Sequence, residues 1–151
     1  MYNFRTDLAL ERTNMYRKAN KLEQIDGIDT DEENVSDNIK VSRVKITNEN
    51  GEKAIGKKKG IYVTIDLKKF KLADDDEIQK ASDILSKELK NILITHISEK
   101  DDILVVGLGN VYVTPDSLGP KVINEIDVTR HIIKYLPQYI DENTRPVTAI
   151  S

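Results

Sequence analysis

A continuous apolar run, Ile103-Leu104-Val105-Val106, stops abruptly at Gly107 and decides most of what this chain can become. A run this short and this apolar, bounded by glycine, reads as a strand buried on both faces, as in the middle of an α/β sheet. It is preceded by the strongest helix signal in the sequence. Asp74, Asp75 and Asp76 open that helix with the charge its dipole favours. Ile78, Ala81, Leu85, Leu89, Ile92 and Leu93 then form one apolar stripe, with Lys80, Lys87 and Lys90 facing water and an end expected near Ile97. A helix feeding a buried strand implies layered α/β architecture. Further on, residues 116–126 predict a short helix, Val128 to Tyr135 a further strand, and Val147 to Ile150 another apolar strand.

The first half reads differently. Thr6 is placed to cap a helix, and Leu8, Met15, Ala19 and Leu22 recur behind it at helical spacing. Residues 23–37 are acidic and predict a solvated loop. Asp29, Asp31 and Glu33 have a faintly calcium-loop spacing, but Asn34 occupies the place of the turn glycine. Ile39, Val41, Val44 and Ile46 alternate with polar residues as a strand, with a bulge expected near Ser42-Arg43. Asn48 to Gly51 is turn chemistry. Ile61 to Ile65 is a second strand rich in β-formers, after Lys57-Lys58-Lys59 between Gly56 and Gly60. The expected fold is therefore α/β: a central mixed sheet flanked by helices, with a β-ribbon insertion near residues 39–66. A strand at the very C-terminus, with no helix after it, suggests a piece of a larger domain.

Composition narrows the chemistry. With 151 residues and a net charge of −3, the chain suits one domain and gives no electrostatic reason to bind nucleic acid or membrane. Cysteine is absent, which removes disulfides, zinc–thiolate sites and a thiol nucleophile. His96 and His131 are the only imidazoles, too few for a multi-histidine metal centre. No secretory signal and no membrane-spanning run of about 18 apolar residues is present, so a soluble intracellular protein is expected.

The chemically informative stretch follows the buried strand. Gly107 and Gly109 allow a sharp turn where open α/β sheets bind their ligands, and Thr114-Pro115-Asp116 sets a carboxylate at the start of the next helix. Three readings compete. One is a dinucleotide fingerprint, although Tyr112 stands where the third glycine belongs. Another is structural, with glycines for the turn and Asp116 as a helix cap. The last is a catalytic carboxylate at the sheet's rim. His131 could likewise position a water or a carboxylate, or serve only structure, and Lys57 to Lys59 could meet acidic substrate or a neighbouring subunit, or be a solvated loop.

Several segments together change that balance. Gly107-Leu-Gly-Asn110, Thr114-Pro-Asp116-Ser-Leu-Gly-Pro120 and Val128-Thr-Arg-His131 resemble the hallmark run of the spore germination protease family. Phe4-Arg-Thr-Asp7-Leu-Ala-Leu-Glu11 resembles its opening segment, with Gly60-Ile-Tyr-Val-Thr64 in order between them, so the resemblance spans essentially the whole chain. It implies an atypical aspartic endopeptidase, a fold similar to hydrogenase-maturation endopeptidases, and no organic cofactor; no metal-ligating residue is assigned, and metal use stays open. It implies small acid-soluble spore proteins as substrate, degraded at germination, a homotetramer, and the cytoplasm of the forespore or spore core. Asp116 falls on one of the family's two catalytic aspartates. The other lies in the family's C-terminal half and has no counterpart here, so this chain alone is expected to be inactive. Gly107, Gly109, Asn110, Arg130 and His131 would support the site. Residues 1–7 would be a propeptide removed by self-cleavage between Asp7 and Leu8, the remainder being the N-terminal part of one peptidase domain.

Overall fold

The computed structural model describes residues 8–98 and 101–151, without the side chain of Phe70. Thr6 and Asp7 lie outside the described residues. The chain divides into two compact units, residues 1–90 and 91–151. As expected, both helices and strands are present, so the fold class is α/β. Its mixed character is shared between an antiparallel three-stranded sheet and a parallel two-stranded one.

In the first unit, strands β1 (Ile28–Asn34), β2 (Ile39–Ile46) and β3 (Gly60–Leu67) pair in sequence order with β2 in the centre. The predicted ribbon is thus β2 and β3, joined through a helix rather than a turn. Asn48 accepts a hydrogen bond from the Gly51 amide at 3.0 Å and starts helix α2 (Glu49–Ile55). The Asn-Glu-Asn-Gly sequence suits a turn and a helix start equally, because both use a short polar side chain to hold a backbone amide. No bulge interrupts β2, whose pairing with both neighbours is continuous through Ser42 and Arg43.

The acidic segment is not a loop. Register places Asp31 directly opposite Arg43, and Arg43 also bonds Glu33 at 3.0 Å, while Lys40 pairs with Glu32. Cross-strand opposite charges stabilise a strand that has little apolar alternation of its own. Asp29, Asp31 and Glu33 are therefore strand residues, and no metal-binding cluster of acidic or histidine side chains occurs among the described residues.

One face of this sheet packs on α2 and on helix α1 (Ala9–Asn20), in a core of Ala9, Ile25, Ile28, Val44, Ile46, Ala54 and Ile55. The inward side of α1 carries Ala9 and Thr13; Met15 and Leu22 of the expected stripe are exposed. Arg12 donates to the carbonyls of Ile55 and Gly56 and so covers the C-terminal end of α2. The other face of β2 meets helix α3 (Asp75–His96). There Arg43 donates from both Nε and Nη2 to Glu88, at 3.0 and 2.6 Å, and Asn38 donates to Glu77 at 2.6 Å. These charged and polar contacts set the rotation of α3, and they leave the apolar stripe of Ile78, Leu85, Leu89 and Leu93 outward.

In the second unit, the two apolar runs are strands, as predicted, and β4 (Ile103–Val106) pairs in parallel with β5 (Val147–Ile150). Helices α4 (Leu118–Asn124) and α5 (Arg130–Tyr135) lie between them in sequence. The expected strand at 128–135 is therefore mostly helix. A two-residue apolar pair, Ile132-Ile133, fits either period, and the strand-like contacts stop at Thr129. The Thr129 amide donates to Val147, while its hydroxyl accepts from the Val147 amide and donates to Arg145. Burial of β4 also differs from expectation: Ile103 and Val105 are half-buried, whereas Leu104 and Val106 are exposed. No helix among the described residues is long and apolar enough to cross a membrane.

Candidate functional site

The carboxyl end of β4 opens into the glycine loop. The Gly107 amide closes the ladder by donating to Ile150 at 2.8 Å, and the chain then leaves the sheet. Asn110 organises the turn beyond it. Its amide donates to the Asp116 carbonyl at 2.9 Å, its carbonyl accepts from Val113 at 3.1 Å, and its side chain accepts from the Tyr112 amide at 3.0 Å. A 3-10 turn at Thr114–Asp116 brings the chain back, with Pro115 at a position where no amide is needed. Ser117, buried, donates to the Thr114 carbonyl at 2.9 Å and leads into α4.

Close backbone approach explains the glycines. A Cβ on Gly107 would lie 2.4 Å from the Gly119 carbonyl oxygen, and one on Gly119 would lie 2.1 Å from that of Leu108. Gly109, at φ +144°, presses against the Asp116 carbonyl, where a Cβ would come within 2.1 Å. Backbone thus packs directly on backbone, and the segment bearing Asp116 is held by the loop that ends β4. Gly119 is the member of this group that periodicity and spacing do not single out. Its signal is its place as the second residue of a helix, where a glycine adds no helix-forming preference and calls for a packing reason.

Asp116 borders a depression of about 380 Å³ lined also by Val105, Gly107, Leu108, Leu118 and Val122. Its carboxylate has no hydrogen-bond or ion-pair partner in the protein among the described residues. It does not cap α4, which begins two residues later at Leu118 with no side-chain cap. No second carboxylate lines the depression. The arrangement offers a single exposed acid in apolar surroundings, Leu108 and Leu118 being 82% and 75% exposed. The dinucleotide pattern fares poorly. Tyr112, 93% exposed, fills the place of the third glycine, and the loop does not run straight into a helix.

The remaining expected residues are elsewhere. Arg130 and His131 sit on α5 and line a separate cavity, sharing no lining residue with the depression at Asp116. Leu8 immediately precedes α1 and is exposed, while Asp7 lies outside the described residues. His96 is exposed in the last turn of α3. The lysine loop is engaged locally: Lys58 pairs with Glu52, the Lys59 amide donates to Glu52, and the Lys57 ammonium lies 5.3 Å from the Tyr62 ring centre.

A carboxylate carried on a turn beyond the end of a parallel strand belongs to an α/β protein, in a place where open α/β sheets commonly bind ligands. Comparison with known proteins narrows this. The germination protease family model matches residues 5–151, and the chain belongs to that family. It is 44% identical over 151 residues to the germination protease of Clostridium perfringens strain ATCC 13124, covering 100% of this chain and 46% of that protein. To the germination protease of Clostridium acetobutylicum it is 43% identical over 153 residues, again covering 100% of this chain and 46% of the relative. The protein of the same name from Priestia megaterium is 39% identical over 155 residues, covering 99% and 41%. The chain thus spans less than half the length of these relatives.

Proposed function

We propose that this chain belongs to an aspartic endopeptidase that begins the degradation of small acid-soluble spore proteins at germination. One observation carries the reading. In a chain matched to germination proteases over residues 5–151, the one carboxylate bordering the depression at the end of β4 is exposed, unpartnered among the described residues, and held at its backbone by Gly109 and Asn110. In the proposed reaction an ionised carboxylate takes a proton from water as the water oxygen attacks the peptide carbonyl carbon. A protonated partner carboxyl then donates to the amide nitrogen as the C–N bond breaks. Two carboxyls held together divide these roles because both cannot ionise cheaply. Asp116 is one of the pair, and the other is the aspartate that the family carries in its C-terminal half.

On this reading, residues 1–151 are the N-terminal part of a single peptidase domain and have no activity by themselves. Residues 1–7 are the propeptide of a zymogen, and cleavage falls between Asp7 and Leu8. The enzyme works as a homotetramer in the spore core. The test is Asp116→Asn in a protein of the relatives' full length. Turnover of a spore-protein peptide should fall by about 100-fold or more, the scale of a lost acid–base group. The same variant should keep residues 1–7 by intact mass. Near-normal turnover would overturn the assignment. A nucleotide-binding reading of the glycine loop has only Gly107 and Gly109 in its favour.

A further inference from the structure

The second unit holds another cavity, of about 320 Å³, lined by Val128, Arg130, His131, Lys134, Tyr135 and Thr148. Each polar side chain in that set can donate a hydrogen bond, and none is a carboxylate. Arg130 and Lys134 are one helical turn apart on α5 and so share a face, with His131 beside them. Thr148 comes from β5, where the ladder fixes it opposite Leu104.

The two cations are held without being neutralised. Arg130 forms an ion pair through its Nε with Asp102 at 3.0 Å, both side chains being largely exposed. Its two terminal nitrogens have no partner in the protein among the described residues. Lys134 places its ammonium 5.3 Å from the centre of the Tyr135 ring, an attraction that steadies a cation and leaves its charge in place. Among the described residues Asp102 is the one carboxylate paired with this group, and it does not line the cavity. Two positive charges against one negative leave the cavity cationic. A guanidinium fork with free nitrogens, beside an ammonium and two hydroxyls, is chemistry that recognises an oxyanion.

We propose that this cavity is an oxyanion-binding site, separate from the depression at Asp116, which takes a carboxylate borne by a peptide or a free phosphate. The volume lies at the lower end of small-ligand pockets, roughly 300 Å³ and upward. The site stands whether or not Asp116 takes part in peptide cleavage.

With only two histidines in the chain, imidazole proton resonances give a direct readout. Inorganic phosphate, a short peptide carrying one glutamate, and the same peptide with glutamine are titrated at constant pH and ionic strength. The His131 resonances should move saturably with phosphate, with the glutamate peptide, or with both, while those of His96 stay in place. A response to the glutamate peptide alone identifies a peptide carboxylate as the ligand; a response to phosphate alone identifies the free anion. The double variant Arg130→Gln, Lys134→Gln should weaken binding at least about 10-fold, or ~1.4 kcal/mol. Lys134→Gln alone leaves the Arg130–Asp102 pair intact and should weaken it by a smaller factor. Three outcomes would overturn the proposal: no saturable shift with any probe, an equal shift with chloride, or unchanged binding in both variants.

Discussion

In the first unit, Ile39, Val41, Val44, Ile46 and Ile55 are all at most 2% exposed, whereas in the second the buried described residues are Gly107, Ser117 and Pro120. One region closes a core around a central strand covered on both faces. The other uses its few buried positions to hold a turn, and it leaves Leu104, Leu108, Tyr112 and Leu118 open to solvent. Polar contacts divide in the same way. Arg43 satisfies carboxylates from β1 and α3 at once, while Asp116 has no partner in the protein among the described residues. Buried packing and unpaired polar groups thus fall in different stretches of chain. A group that reacts with a ligand must keep its hydrogen-bonding capacity unspent, and a group that secures a fold must spend it.

That contrast can be broken most directly at Ile55, which is 0% exposed. Ile55→Ala should destabilise the first unit by about 3 kcal/mol, from lost transfer energy and the cavity left behind. Urea unfolding followed by hydrogen exchange would show the loss in residues 8–90. A change under about 1 kcal/mol would mean that the core does not carry the unit's stability.

Arg43 comes second in size. Hydrogen bonding to Glu88, the largest influence, holds the guanidinium above the usual arginine range, with Asp31 and Glu33 adding to it and burial opposing. Arg43→Met removes the partner of a carboxylate whose side chain is only 7% exposed. Breaking a fully buried pair costs several kcal/mol, but Arg43 itself is partly exposed, so about 2 kcal/mol is expected. Glu88→Gln, which keeps a hydrogen-bond acceptor, should recover part of that loss in the double variant. No recovery would show that Glu88 is not the group left stranded.

Gly119→Ala sharpens the comparison from the other side. The added methyl meets backbone rather than a yielding side chain, so about 1 kcal/mol of strain is expected. Amide shifts should be confined to residues 105–123, with the first unit unchanged. Shifts spread through β1 to β3 would contradict the division.

The smallest effect belongs to Glu52, whose carboxylate lies below its ordinary value of 4.5, chiefly because it accepts a hydrogen bond from the Lys59 amide. A depressed acid contributes stability above its unfolded value and loses it as pH falls through the folded one. Glu52→Gln should therefore cost a little stability at pH 7, where the carboxylate contributes, and its difference from the unaltered protein should shrink as pH falls below about 4.5. A larger loss at pH 4 than at pH 7 would reverse the sign.

Much of this architecture was legible in residue order because it rests on local periodicity. The stripe from Ile78 to Leu93 marked α3, alternation marked β2 and β3, and the two apolar runs marked β4 and β5. What local pattern could not supply was a partner at a distance. β1 looked like a loop because its acidic residues make a strand only opposite Arg43 and Lys40. Helix α3 was legible, but its facing was not, since Glu88 turns inward only where Arg43 waits for it. At the candidate site, Asp116, Gly107 and Gly109 stood out by motif, whereas Gly119 acquires its meaning from the loop folded against it.

Residue order by itself determined the α/β class, the family, and the carboxylate set just beyond a parallel strand, since apolar periodicity and short motifs are properties of neighbouring residues. Tertiary structure alone decided which faces are covered, which charges are matched, and that Arg130 and His131 stand apart from the depression at Asp116. Those outcomes depend on energies between groups far apart in the chain, and such energies exist only once the backbone has brought them within reach.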